Sequence, residues 1–325
     1  MKKTIKSMLF GLAAMLCASP VPAGQGAANF PQEPVTIIVP VAAGGGLDRL
    51  ARTLAPYLSE RWGQPVVVTN RPGVGGWVGA VATANAKPDG HTLLVAHDAL
   101  MISNRFLTKN QPIDLDQGLA PVAPLVQANQ MLLATPGVEA SDLKAFVKLA
   151  KANPRKFAYG SYGPGSPPDL AWAMLGYKEG LDLLNVPYKG VAPVVQAMLA
   201  NEVQLSLGSG VVAGELMKAG RLKALAVASE QRDPRYPDVK TTGELGYPYL
   251  QLSIWHALYA PGGTPSEITH KIADDVRQIL KNPDFLNKIS DFEPLDGGPE
   301  DLAKRIKVES ARIQEMIQAA GVEPQ

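Results

Sequence analysis

VTIIVPVAAGGGLDRLARTLAPYLSERWGQPVVVTN, Val35 to Asn70, decides the fold. Its first part, Val35 to Pro40, is a short β-branched run closed by proline, the pattern of a buried strand. The next part places Leu47, Leu50, Ala51, Leu54, Tyr57 and Leu58 on one helical face. A second strand follows at Pro65 to Asn70. After a turn and a small-residue helix, HTLLVA (His91 to Ala96) reads as a third. Strand and helix alternate, so the expected sheet is parallel with helices on both faces.

Working outward, the theme repeats. A helix over Ala140 to Pro154, with Ser141 expected as N-cap, precedes strands at Lys156 to Ser161, Leu183 to Tyr188 and Val203 to Ser209. Helices are expected after each, and a further strand at Leu222 to Ser229. Leu252 to Pro261 reads as an extended return segment. Two amphipathic helices then close the chain, at Ser266 to Pro283 and Pro299 to Ala320, with no strands of their own. They pack most simply on the first sheet, which makes that lobe discontinuous. The expected division is residues 24–127 with 253–325 for lobe 1 and 128–252 for lobe 2. The chain crosses near Val126 to Gln130 and again near Gln251 to Ile254. Two α/β lobes joined by two crossings make a hinged clamp, with its ligand in the cleft.

The amino terminus reads as a separate address. Lys2, Lys3 and Lys6 precede the apolar run Met8 to Cys17, and Val21 and Ala23 suit a cleavage site. This is the pattern of a secretory signal peptide over residues 1–23, cut after Ala23, with Ala28 as an alternative. The run falls short of the ~20 apolar residues a membrane span needs. Leu16, not a small residue, precedes Cys17, so a lipid anchor is disfavoured. Cys17 is the single cysteine, and the mature chain has neither disulfide nor thiol chemistry. Without the three lysines the chain keeps 28 basic residues against its 30 acidic ones. No basic block remains to read nucleic acid.

Catalytic motifs fail one by one. Leu47 and Asp48 follow Gly46 where a phosphate loop needs lysine. GVGGWVGA (Gly73 to Ala80) has Val78 where a dinucleotide fingerprint needs glycine. No G-x-S-x-G elbow occurs. His91, His97, His256 and His270 form no H-E-x-x-H pair and join no carboxylates at metal spacing in the sequence. Neither cofactor nor metal is expected. What remains is a set of small-residue loops at strand ends: Ala42 to Gly46, Asn70 to Gly76, the segment around Asp98, Tyr159 to Pro168, and Val186 to Pro193. Glycine permits close backbone approach, and a helix start supplies unpaired N–H groups. Together these loops read as the walls of an anion-binding cleft.

These same residues resemble a known family. Val39 to Gly45, Asp48 with Ala51 and Arg52, Gly63 to Gly76 and Pro88 to Leu94 match the first-lobe pattern of the Bug (Bordetella uptake gene) receptors. YGSYGPGSPPDLA, VPYKGVAPVVQAMLANEVQL and YAPGGTP match the second lobe and its return. The resemblance implies a two-lobed, type 2 periplasmic-binding-protein fold, of Venus flytrap kind. It implies a monomeric periplasmic receptor, not an enzyme, that passes a small carboxylic acid to the membrane subunits of a tripartite tricarboxylate transporter. Carried over by position, the ligand-facing candidates are Ala43, Gly44, Gly45 and Asp48 in lobe 1. In lobe 2 they are Ser161, Gly165, Ser166, Tyr188 and Lys189. Departures from the pattern add Trp77, Asp98, Asp169 and Ser209. If both aspartates face the cleft, a dianion fits less well than an amino-bearing or neutral group. If Trp77 does, a flat or aromatic solute becomes plausible. A sensor delivering its signal to a histidine kinase, and a secreted α/β enzyme, are the alternatives.

Overall fold

The computed structural model describes residues 29–324 apart from Asp291. The expected signal peptide lies outside the described residues. The first unit is built as β1 (Val35–Val39), α1 (Gly46–Trp62), β2 (Val66–Asn70), α2 (Trp77–Ala84) and β3 (Thr92–His97). β1 lies between β2 and β3, parallel to both. Gly63 ends α1 because it takes a left-handed φ of 64°, which costs glycine little. Three short helices follow: α3 (Asp98–Met101), α4 (Asn104–Leu107) and α5 (Leu115–Gly118).

β4 (Leu119–Ala134) is a single strand of 16 residues that serves two sheets. From Leu119 to Asn129 it pairs with β9 (Ser253–Pro261). From Gln130 to Ala134 it pairs with β7 (Leu205–Ser209) on one side, and from Met131 with β8 (Lys223–Val227) on the other. The sequence foresees a crossing here, but not a continuous strand. The expected parallel pairing holds in β2-β1-β3 and in β6 (Leu184–Pro187), β5 (Ala158–Ser161) and β7. The crossing strands add antiparallel partners, since β9 runs antiparallel to both β3 and β4, and β7 and β8 run antiparallel to β4.

The second unit holds α6 (Leu143–Lys151), β5 (Ala158–Ser161), α7 (Pro167–Glu179), β6 (Leu184–Pro187), α8 (Val191–Leu199) and α9 (Gly210–Lys218). Asp142, not Ser141, caps α6, its carboxylate accepting from the Ala145 N–H at 2.8 Å. α10 (Ser266–Ile279), α11 (Pro283–Lys288), the two-residue β10 (Glu293–Pro294) and α12 (Pro299–Ala320) complete the chain. β10, unread in the sequence, pairs with β4 at Val126 and Gln127.

Direction places the site. β3 ends at His97, level with His256 of β9 and so with Val126 of β4. β7 ends at Ser209, level with Gln130. β5 runs parallel to β7, and β6 parallel to β5. The carboxyl ends of both parallel sets therefore converge, from opposite directions, where β4 changes partners.

The cores follow from the strand alternation. One face of the first sheet buries α1, α10 and α11 against Ile37, Val95 and Val126. α8 and α9 cover Met131 and Leu133. A third core is shared between the two units. It joins Leu302, Ile306, Ile313 and Met316 of α12 to Leu170, Trp172 and Leu175 of α7. Lys178 and Glu315 pair at its edge. α10 packs on the first sheet as expected, whereas α12 braces both units.

Candidate functional site

The loop before α1 is organised by one carboxylate. Asp48, the third residue of α1, is 3% exposed. It accepts from the Gly44 N–H at 2.9 Å, from Asn70 Nδ2 at 2.8 Å and from Arg52 Nε at 3.0 Å. Arg52 Nη2 in turn donates to Asn70 Oδ1 at 2.8 Å. Burial alone would raise the Asp48 pKa, but the bonds from Arg52, Gly44 and Asn70 and the Arg52 charge hold it down at about 2.

The loop before α7 repeats the device. Asp169 is also the third residue of its helix and is 4% exposed. It accepts from the Gly165 N–H at 2.9 Å, from Asn185 Nδ2 at 2.8 Å and from the Tyr159 hydroxyl at 3.3 Å. The buried Ser161 hydroxyl donates to Asn185 Oδ1 at 2.8 Å. Asn70 and Asn185 lie on the strands that neighbour β1 and β5, level with Val39 and with Tyr159. Asp169 differs in lacking an arginine, because Ala173 stands where α1 has Arg52. Burial then outweighs the bonds from Gly165 and Tyr159, and its pKa is raised.

These contacts revise several expectations. The Gly44 and Gly165 N–H groups are spent on aspartates, so neither is left for a solute. Asp48 and Asp169 shape their loops, each carboxylate oxygen already accepting at least one bond from the protein. Trp77 is 3% exposed and donates from Nε1 to Thr108 Oγ1 at 3.1 Å. It is a core side chain, and a solute reading for it falls. Burial first, and then Glu202, toward which Tyr188 turns, lift the hydroxyl pKa of Tyr188. Its backbone N–H donates to the Ser161 carbonyl at 2.8 Å. Ser166 Oγ closes its own loop onto the Gly163 carbonyl at 2.7 Å.

Open surface remains at Ala43, Gly45 and Lys189, all exposed, and at the partly buried Ser209. An added Cβ at Gly45 meets nothing within 4 Å. The two helix starts also differ. α1 begins with three residues that keep their N–H groups, while Pro167 and Pro168 remove two donors from α7. Sequence reasoning placed Asn70, Arg52 and Tyr159 in the loops and motifs without giving them a role, and missed Asn185. Their signal was there: G-x-x-x-D occurs at Gly44 to Asp48 and again at Gly165 to Asp169.

At the end of β3, Asp98 opens α3 and takes bonds from the Trp255 and Ala99 backbone. Burial first, and then the charge of Glu309, push its pKa up to about 7. The folded state thus holds a proton that the unfolded chain releases near pH 3.8, and stability falls as pH rises through that window. Asp98→Asn keeps the acceptor oxygen and removes the ionisation. It is expected to raise Tm by several degrees more at pH 8 than at pH 5; equal shifts at both pH values contradict this. His97 and His256 face each other across β3 and β9. Burial lowers both pKa values, that of His256 to about 4. At the far end of the first sheet, Glu33, Asp89 and His91 bring ligand atoms within 4.8 Å of one another, a cluster that the sequence spacing did not reveal. No helix among the described residues is long and apolar enough to cross a membrane.

The family model of the tripartite tricarboxylate transporter receptors (TctC) matches residues 50–322. The chain belongs to this family. The resemblance drawn from the motifs is borne out. A UPF0065 protein of Bordetella pertussis is 33% identical over 91% of this chain and 92% of its own. Among solved structures, the periplasmic binding protein BugD is 32% identical with a TM-score of 0.68, covering 91% of this chain and 100% of its own. MatC of Rhodopseudomonas palustris with bound malate is 31% identical, TM-score 0.67, over 89% and 100%. An R. palustris protein with adipate is 28% identical, TM-score 0.72, over 91% and 100%. The receptor therefore has the periplasmic-binding-protein fold, two lobes with converging strand ends.

Proposed function

We propose that this receptor captures a small carboxylic acid between its lobes in the periplasm and hands it to the membrane subunits of a tripartite tricarboxylate transporter. The observation that carries this reading is the paired device. Two glycine loops, each pinned by a buried aspartate, stand at the converging strand ends. The lobes are taken as residues 24–127 with 253–325, and 128–252, with bending where β4 changes partners. Malate and adipate in relatives of this fold support the solute class.

The asymmetry of the loops sets the orientation. The α1 start has three N–H donors, a positive helix end and an aspartate already neutralised by Arg52. The solute carboxylate belongs there. The α7 start has two prolines and an uncompensated aspartate, so that side receives the solute's neutral or donor-bearing end. Lobe closure excludes water from both contacts. A chain working as a monomer needs no partner copy for this.

Gly45→Leu tests the assignment. The side chain enters open space at an ordinary φ of −76°, so the melting temperature is expected to stay within about 2 °C. Calorimetry with malate, adipate and related mono- and dicarboxylates should show saturable binding to the natural receptor. The variant should lose at least about tenfold in affinity, or 1.4 kcal/mol. A receptor indifferent to the whole panel defeats the carboxylate reading. Unchanged affinity in Gly45→Leu defeats the placement at α1.

A further inference from the structure

Three side chains gather at the end of the first sheet opposite the converging strand ends. Glu33 lies two residues before β1, and Asp89 and His91 stand just before β3. β1 and β3 are parallel neighbours, and the Thr36 N–H donates to the His91 carbonyl at 2.8 Å. That register draws together residues far apart in the chain. Two carboxylates and one imidazole thereby hold their ligand atoms within 4.8 Å of one another. β3 is six residues long, which puts the cluster roughly 20 Å from the solute cleft.

Two of the three groups are held rigidly. Asp89 Oδ1 accepts from the His91 N–H at 3.0 Å, which fixes a tight turn over Gly90. Gly90 takes a φ of 85°, and an added Cβ there would lie 2.6 Å from Ile268 of α10 and 2.7 Å from Phe30. The turn is thus pressed onto its neighbours, and the Phe30 ring packs 5.1 Å from the imidazole. The His91 side chain is 12% exposed. Both of its ring nitrogens are buried and neither makes a hydrogen bond, so the imidazole has a lone pair to spare. Nδ1 stands 3.2 Å from Asp89 Oδ1. Two ligands of a tetrahedral zinc ion, with bonds of 2.0–2.2 Å, lie roughly 3.4 Å apart. A space that shuts out water therefore still admits an ion with bonds that short. Glu33 is exposed, and its carboxylate has no ion pair or hydrogen bond among the described residues. It is the movable arm that closes over the other two from the solvent side.

We propose that Glu33, Asp89 and His91 form a site for a divalent cation of zinc type, with water completing its coordination. An imidazole beside two carboxylates suits zinc better than calcium or magnesium, which take oxygen ligands. Bound there, the ion fastens the chain before β1 to the turn before β3. Its effect is on stability, and the solute cleft lies too far away to share it. The site does not depend on the cleft reading.

Zinc is the probe, added to the whole receptor without an affinity tag after treatment with a chelator. Calorimetry is expected to show a single zinc per chain, and saturating zinc to raise Tm by several degrees. X-ray absorption at the zinc edge should find nitrogen and oxygen neighbours at about 2.0–2.2 Å. Glu33→Gln changes an exposed side chain, so its metal-free Tm should stay within about 2 °C of the natural receptor. Its zinc affinity should nevertheless fall at least about tenfold, and His91→Gln should lose the site. A natural receptor that binds no zinc overturns the proposal, as does zinc affinity unchanged in both variants. Calcium raising Tm as much as zinc also overturns it, because that would leave the imidazole without a part.

Discussion

Asp48→Ala is expected to lose about 2–4 kcal/mol of folding stability and at least about a hundredfold in solute affinity. Removing one member of a buried pair costs about 3–5 kcal/mol when its partner stays buried. Here Arg52 is half exposed, so water recovers part of that loss. The affinity loss has a different origin. Gly44 sits at φ 93°, and its N–H is fixed by the Asp48 oxygen. Freed, the loop must be ordered again by each solute that enters. Asp48→Asn should fall between, since an amide oxygen still accepts from Gly44 while the pairing charge is gone. The depressed pKa gives the sign of the pH effect. Ionic stabilisation is complete above pH 3.8 and fades as pH falls toward about 2. The gap between Asp48→Asn and the natural receptor in urea unfolding should close over that range. A gap that persists unchanged at the acid end contradicts the pairing.

Gly262→Ala is expected to be at least as damaging, by about 3 kcal/mol or more, or to leave no soluble protein. An added Cβ at this position lies 1.8 Å from the Gln117 carbonyl oxygen, a backbone atom that no side-chain rotation can move aside. The Gly262 N–H also donates to the Gly118 carbonyl at 2.8 Å, so the segment cannot move away cheaply. Overpacking commonly costs about 1–3 kcal/mol, more where backbone must shift. Gly263→Ala is the comparison. That glycine has open space but a φ of 82°, and should cost about 1 kcal/mol. Equal stability of the two variants in chemical denaturation argues against the close approach.

The alternation of strand and helix was legible because β1, α1 and β2 obey simple periods. The motifs around Gly44 and Gly165 were legible as loops. What Asp48 and Asp169 do was not, since a carboxylate that serves its own loop and one that faces a solute share the same letters. The difference lies in the backbone, which turns the N–H four residues earlier onto the oxygen. Trp77 misled for a similar reason. It follows two glycines, but it begins a helix whose small residues lean on the core. β4 was hidden by its composition. Pro121, Pro124, Gln127 and Asn129 break the apolar pattern of a strand that changes neighbours and bends at two irregularities. α12 looked like a simple amphipathic helix because a sequence does not tell which of two partners an apolar stripe meets.

That last feature reaches beyond the site. A helix whose stripe is shared by two lobes makes each lobe incomplete without the other. Separating the lobes by cutting the chain at both crossings, where β4 changes partners and again before β9, would strand Trp172 and Leu175 on one piece and Ile313 and Met316 on the other, each facing water. The receptor is therefore expected to melt as a single unit in calorimetry. Its two halves are parts of one machine, and neither is a module that a gene rearrangement could carry off alone.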